Sequence, residues 1–112
     1  MVKSPGQPAR GSTSGRPIMV LLDILGKRWT LRVLWELYEG GAASFRELRA
    51  RCEDVSPTVL NARLKELRQL EIVLLRDKGY ALTPQGKALA RKFMSLNEWA
   101  DDWAASLGSS KT

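Results

Sequence analysis

The sequence predicts a mainly α fold with one small β-hairpin, and three observations carry that expectation. Apolar residues recur at helical spacing through most of the chain. A proline follows a serine or threonine at two points where such stretches begin, Ser56-Pro57 and Thr83-Pro84. Only one region, "IVLLR" to "YALT", turns to β-prone residues. At 112 residues the chain has room for one domain and a modest core. Its hydrophobic content of 44% and charged content of 27% are those of an ordinary soluble protein.

Residues 1–15, "MVKSPGQPARGSTSG", have no apolar periodicity and are expected to form a disordered basic tail. The ordered domain is then 16–108, with 109–112 a frayed end. A first helix is predicted over Pro17 to Leu25, with Pro17 in its first turn. A second begins near Lys27 or Arg28 and runs to Glu39, because Leu31, Val33, Leu34, Leu37 and Tyr38 share helical spacing and Gly40-Gly41 follows.

Ser44 to Cys52 reads as a third helix opened by a capping box in "SFRE", with Ser44 and Glu47 each bonding the other's amide. A fourth starts at Ser56, the serine capping free amides and Pro57 taking the first helical position. It runs to Leu70 with Leu60, Leu64 and Leu67 on one face. Asp77-Lys78-Gly79 joins two short strands. A long last helix then follows Thr83-Pro84 to about Leu107.

A short helix, a tight turn, a second helix and a hairpin form the order of a winged helix-turn-helix: a three-helix core plus a wing, flanked here by N- and C-terminal helices. The third and fourth helices are expected to share a core of Phe45, Leu48, Leu60, Leu64 and Leu67. That packing leaves the far face of the fourth helix in solvent, where it can enter a major groove. This face carries Thr58, Asn61, Ala62, Lys65 and Gln69. Asn can pair bidentately with adenine, Thr can meet a thymine methyl or a phosphate, and Lys can reach guanine or phosphate. In isolation such a face is more often merely solvated; the flanking elements favour recognition.

The segments "DILGKRWTLRVLWEL", "SFRELRARCEDVSPTVLNARLKEL", "YALTPQGKAL" and "LNEWADDWAASL" together resemble the HxlR-type winged helix-turn-helix regulators of bacteria, over about residues 17 to 107. The resemblance implies a homodimer that binds double-stranded DNA at an operator and represses or activates genes. It implies dimerisation through the first and last helices and reading by the helix from Ser56 to Leu70. By that carry-over Ser56, Pro57, Thr58, Asn61, Arg63 and Lys65 are contact positions, with wing cations Arg76 and Lys78 on flanking phosphates or the minor groove. Arg46 of the third helix joins these candidates.

The chain departs from the family in three places. The wing is shorter than the usual one, where a longer basic loop joins the strands, so the carry-over is weakest for minor-groove insertion. Glu71 stands where a glycine usually ends the reading helix, so a non-glycine residue has to turn left-handed there at roughly 1–2 kcal/mol. Arg16-Pro17 stands where redox-sensing members carry a cysteine, which removes the sensor role.

Elsewhere the sequence excludes more than it adds. No histidine and one cysteine, Cys52, leave no zinc site, and no nucleophile motif supports an enzyme. No cofactor is expected. Cys52 reads as a small core residue, since no second thiol is present to resolve a sulfenic acid. Trp29 and Trp35 read as core. Leu96, Trp99, Trp103 and Leu107 form one stripe of the last helix, which needs a partner surface: a second copy, or failing that the chain's own first helix. The run Ile18 to Leu25 contains Asp23 and is too short to span a bilayer, so a cytoplasmic protein without membrane contact is expected.

The net charge of +6 favours a polyanionic partner. Two function classes remain open: a sequence-specific dimeric DNA-binding regulator, and a winged-helix module binding protein partners or single-stranded nucleic acid without sequence specificity. No small-molecule effector is legible.

Overall fold

The computed structural model describes residues 15–110, so the predicted tail lies outside the described residues except at Gly15. Five helices and a hairpin follow one another: α1 Pro17–Leu25, α2 Thr30–Gly40, α3 Phe45–Arg51, α4 Pro57–Gln69, β1 Val73–Arg76, β2 Gly79–Leu82 and α5 Pro84–Ser110. One apolar core unites them. It takes Ile24 and Leu25 from α1, Val33, Leu34 and Leu37 from α2, Leu48 from α3, the stripe Leu60, Leu64 and Leu67 from α4, Val73 and Leu82 from the strands, and Ala90 from α5. Phe45 packs on its edge.

Helix α2 starts later than its apolar spacing predicts. Trp29 takes a left-handed conformation at φ 75°, so Lys27 to Trp29 form a turn and Thr30 opens the helix. Trp29 is half-buried against the core, which holds it in this otherwise unfavourable region. At α3 the capping box forms as expected: the Glu47 amide donates to Ser44 Oγ at 3.1 Å, and the Ser44 amide donates to Glu47 Oε1 at 2.9 Å. The Glu47 carboxyl is held below the ordinary carboxylate range, first by that backbone hydrogen bond and then by the Ser44 side chain.

The start of α4 is a correction. Ser56 makes no side-chain cap hydrogen bond, although its carbonyl accepts from the Leu60 amide at 3.0 Å. Thr83 does cap α5, accepting from the Gly86 amide at 3.0 Å, while its own hydroxyl donates to the Glu71 carbonyl at 2.7 Å. That pair of hydrogen bonds ties the residue after α4 to the start of α5. Gly86 is required here, since a Cβ would meet the Ile72 carbonyl oxygen at 2.1 Å.

The strands pair antiparallel, Val73 with Leu82 through Arg76 with Gly79, leaving Asp77 and Lys78 as a two-residue tip. A third piece of sheet joins them: Ala43 bridges Tyr80, with N–H···O distances of 2.9 and 2.7 Å. Helix α5 runs through Ser110, three residues past the expected end at Leu107, so Gly108 is helical. Among the described residues no helix is long and apolar enough to cross a membrane.

Candidate nucleic-acid interface

The geometry of α4 follows from its leucines. Leu60, Leu64 and Leu67 are at most 1% exposed, so the helix rests on the core along one line. At about 100° per residue, Thr58, Asn61, Lys65, Arg68 and Gln69 then lie away from that line, and all five are exposed. Ala62, between them, is partly covered. Ser56 and Pro57 are exposed at the helix start, Arg46 on α3, and Arg76 and Lys78 on the wing. The structure therefore brings most of the sequence-predicted contact residues to solvent around α4 and the hairpin.

Arg63 lies elsewhere. It sits on the flank of α4, its side chain 18% exposed, with Nε 2.9 Å from Glu66 Oε1. The N–H is not aligned for a hydrogen bond, so the contact is an ion pair held by charge alone. The other oxygen of Glu66 accepts from Lys27 Nζ at 2.6 Å. Gln69, placed on this face by the sequence but not as a contact, and Arg68, which sequence reasoning missed, are exposed there too. The signal for Arg68 was present: it follows Asn61 and Lys65 at the i, i+4, i+7 spacing of one helix side.

The turn that aims α4 is stapled by backbone and arginine contacts. Glu53 and Asp54 are both left-handed, at φ 55° and 57°, a conformation that costs non-glycine residues roughly 1–2 kcal/mol each. Holding them, the Asp54 amide donates to the Arg49 carbonyl at 2.9 Å and Arg49 Nε donates to the Val55 carbonyl at 2.8 Å. Arg32 of α2 reaches the same turn, donating to the Arg51 carbonyl at 2.9 Å while pairing with Glu36 at 2.7 Å. Glu71, left-handed at φ 59°, supplies at the far end of α4 the reversal that a glycine would make more easily.

Cys52 is fully buried among these elements. Burial pushes its thiol above the ordinary range, with the neighbouring charges of lesser weight.

A second surface is apolar. Leu96, Trp99, Trp103 and Leu107 on α5 are 57%, 60%, 53% and 43% exposed, and Trp99 stacks on Trp103 at 5.7 Å between ring centres. Their exposure overturns the alternative that this stripe packs on the chain's own first helix. Ile18 and Leu22 of α1 are also exposed. Trp35 is half-buried and lines an apolar groove between α2 and α5 with Tyr38, Phe93 and Leu96, so it is a wall of that groove and not deep core.

With this geometry in place, likeness to known proteins is specific. The model of the HxlR-like helix-turn-helix family matches residues 24–107. The chain is similar to YvaP, an uncharacterized HTH-type transcriptional regulator of Bacillus subtilis (strain 168), at 39% identity over 90 residues, 73% of this chain and 82% of that one. It is similar to the HTH-type transcriptional regulator YodB of the same organism at 33% identity over 100 residues, 83% and 88% of the two chains. The crystal structure of quinone-bound YodB superposes with a TM-score of 0.71 at 35% identity, covering 76% of this chain and 96% of that one. A possible HxlR family transcriptional factor from Thermoplasma volcanium GSS1 gives 0.68 at 27% identity, covering 76% and 82%.

Proposed function

This chain belongs to the HxlR-like helix-turn-helix family of DNA-binding transcriptional regulators, and from that premise we propose that it is a dimeric repressor reading a palindromic operator with α4. Its relatives are regulators and not enzymes. The observation that carries the proposal is the division of α4 into a fully buried leucine line and an exposed face holding Thr58, Asn61 and Lys65. Of the polar residues there, Asn61 has the side chain that discriminates adenine, and Lys65 reaches guanine or phosphate. Ser56, Pro57, Thr58 and Arg46 flank them as backbone contacts, and Arg76 and Lys78 add phosphate contacts from the wing. Arg63 contributes through Glu66.

Two copies joined by the α5 stripe would set two α4 helices roughly 34–36 Å apart, one duplex turn, and so meet a two-fold operator. A dimer sitting over a promoter blocks it, which is the sense of repression proposed. The site of action is the cytoplasm, where duplex DNA is available. YodB is known with quinone bound. Here the one cysteine, Cys52, is covered by the core.

The test is selection of duplexes from a random pool by the purified protein, followed by affinity for the selected and random duplexes. Asn61→Ala is expected to cost about 1–3 kcal/mol on the selected duplex and much less on random duplex. Lys78→Ala is expected to weaken both alike and lower the salt slope by about one. Equal wild-type affinity for both duplexes would instead favour the module that binds protein partners or single strands.

A further inference from the structure

The leucine line that seats α4 is apolar and non-directional, so it limits roll and slide of the helix only through packing. One polar contact is directional. Glu66 lies on the flank of α4, between the buried line and the exposed face, with its side chain 15% exposed. One of its oxygens accepts from Lys27 Nζ at 2.6 Å, and the other faces Arg63 Nε at 2.9 Å. Lys27 belongs to the turn between α1 and α2, thirty-nine residues away in sequence, next to left-handed Trp29.

We infer that Lys27 is a positioning residue for DNA reading: through Glu66 it fixes the roll of α4, and so the direction in which Asn61 and Lys65 point. Residue 66 is one step, about 100°, from Lys65 on the same helix, so a modest roll at the strut turns the reading side chains equally. Base recognition needs bidentate geometry, whereas phosphate contact tolerates rotation. Loss of the strut therefore degrades discrimination before it degrades general affinity. The same link joins the α1–α2 turn to the reading helix.

This inference rests on the DNA-reading role of α4, and the experiment separates the two. The selected and random duplexes are titrated with wild type, Lys27→Met, Lys27→Arg and Glu66→Gln, each with its melting temperature. Lys27→Met and Glu66→Gln are expected to lower the ratio of selected to random affinity about tenfold, a difference of 1.4 kcal/mol. Glu66→Gln removes a negative charge, so plain electrostatics raises its affinity for random duplex while the ratio falls. Lys27→Arg keeps a cation in reach of Glu66 and is expected to keep the ratio. Failure of the wild type to select any sequence would refute the reading role and the strut with it. Selection by the wild type, with an unchanged ratio in the folded Lys27→Met and Glu66→Gln proteins, would refute the strut alone.

Discussion

Replacing Trp103 by glutamate is the sharpest test of the proposed dimer. Trp103 is 53% exposed in the protomer, so only about half of its surface remains to be covered by a partner. Full burial of a large apolar side chain contributes about 1.5–3 kcal/mol, so each copy loses about 0.8–1.5 kcal/mol of association energy. The two-fold axis doubles this to about 1.5–3 kcal/mol, or roughly 15- to 150-fold in the dimer constant. Stacking of Trp103 on Trp99 exists within the protomer and does not enter the difference. Glu98, Asp101 and Asp102 make this part of α5 acidic, and a further carboxylate from each copy adds repulsion. Within the protomer the change also removes the stack on Trp99, about 0.5–1.5 kcal/mol, and leaves the core untouched. Analytical ultracentrifugation over a concentration series is expected to show dimer for the wild type and monomer for Trp103→Glu, with the variant still unfolding cooperatively. A wild type that sediments as monomer at high concentration refutes the reasoning, and so does a Trp103→Glu protein as dimeric as the parent.

Three further outcomes are expected. Gly79→Ala places a Cβ 2.3 Å from the Ala43 carbonyl oxygen at φ 108°, so thermal melting should show a loss of about 1–3 kcal/mol and a fall of several degrees; an unchanged midpoint would show that the Ala43 bridge is dispensable. Cys52, buried with its thiol raised, should resist a disulfide-exchange reagent until the protein unfolds, and peroxide should affect DNA binding of wild type and Cys52→Ser alike. Glu47 titrates below its unfolded value, so its contribution is present above the ordinary carboxylate pKa and is lost as pH falls through its folded one. The gap in melting temperature between wild type and Glu47→Gln should narrow with acidification in that range, and a constant gap would discount the capping box.

What was legible in the sequence was local. The capping box of "SFRE", the break at Gly40-Gly41 and the two-residue hairpin tip need only neighbours, and they formed. The leucine line of α4 and its opposite face followed from helical period alone. The misses share a different cause. Trp29 is left-handed because tertiary packing holds it, against the apolar spacing that would carry α2 back to Lys27. Ala43 pairs with Tyr80 across half the domain, a contact no local pattern announces. Arg63 is a contact position by the family carry-over alone, and its place beside Leu64 puts it on the flank of α4, with Nε 2.9 Å from Glu66 Oε1. Ser56 has the composition of a cap without its hydrogen bond.

The hairpin has a consequence for how such proteins change. It is held twice, by the ladder between its strands from Val73–Leu82 to Arg76–Gly79 and, nearer the tip, by Ala43 against Tyr80 on the other edge of β2, where a Cβ on Gly79 would meet the Ala43 carbonyl. A single residue inserted within a strand would shift every following side chain to the opposite face. Residues inserted between Asp77 and Lys78 disturb neither edge. The length of this finger can thus grow or shrink through small insertions at a single point while the pitch of α4 stays as it is. Under the proposed DNA reading, reach along a duplex and base preference would then be separately adjustable, a longer loop at Asp77 changing the first and not the second.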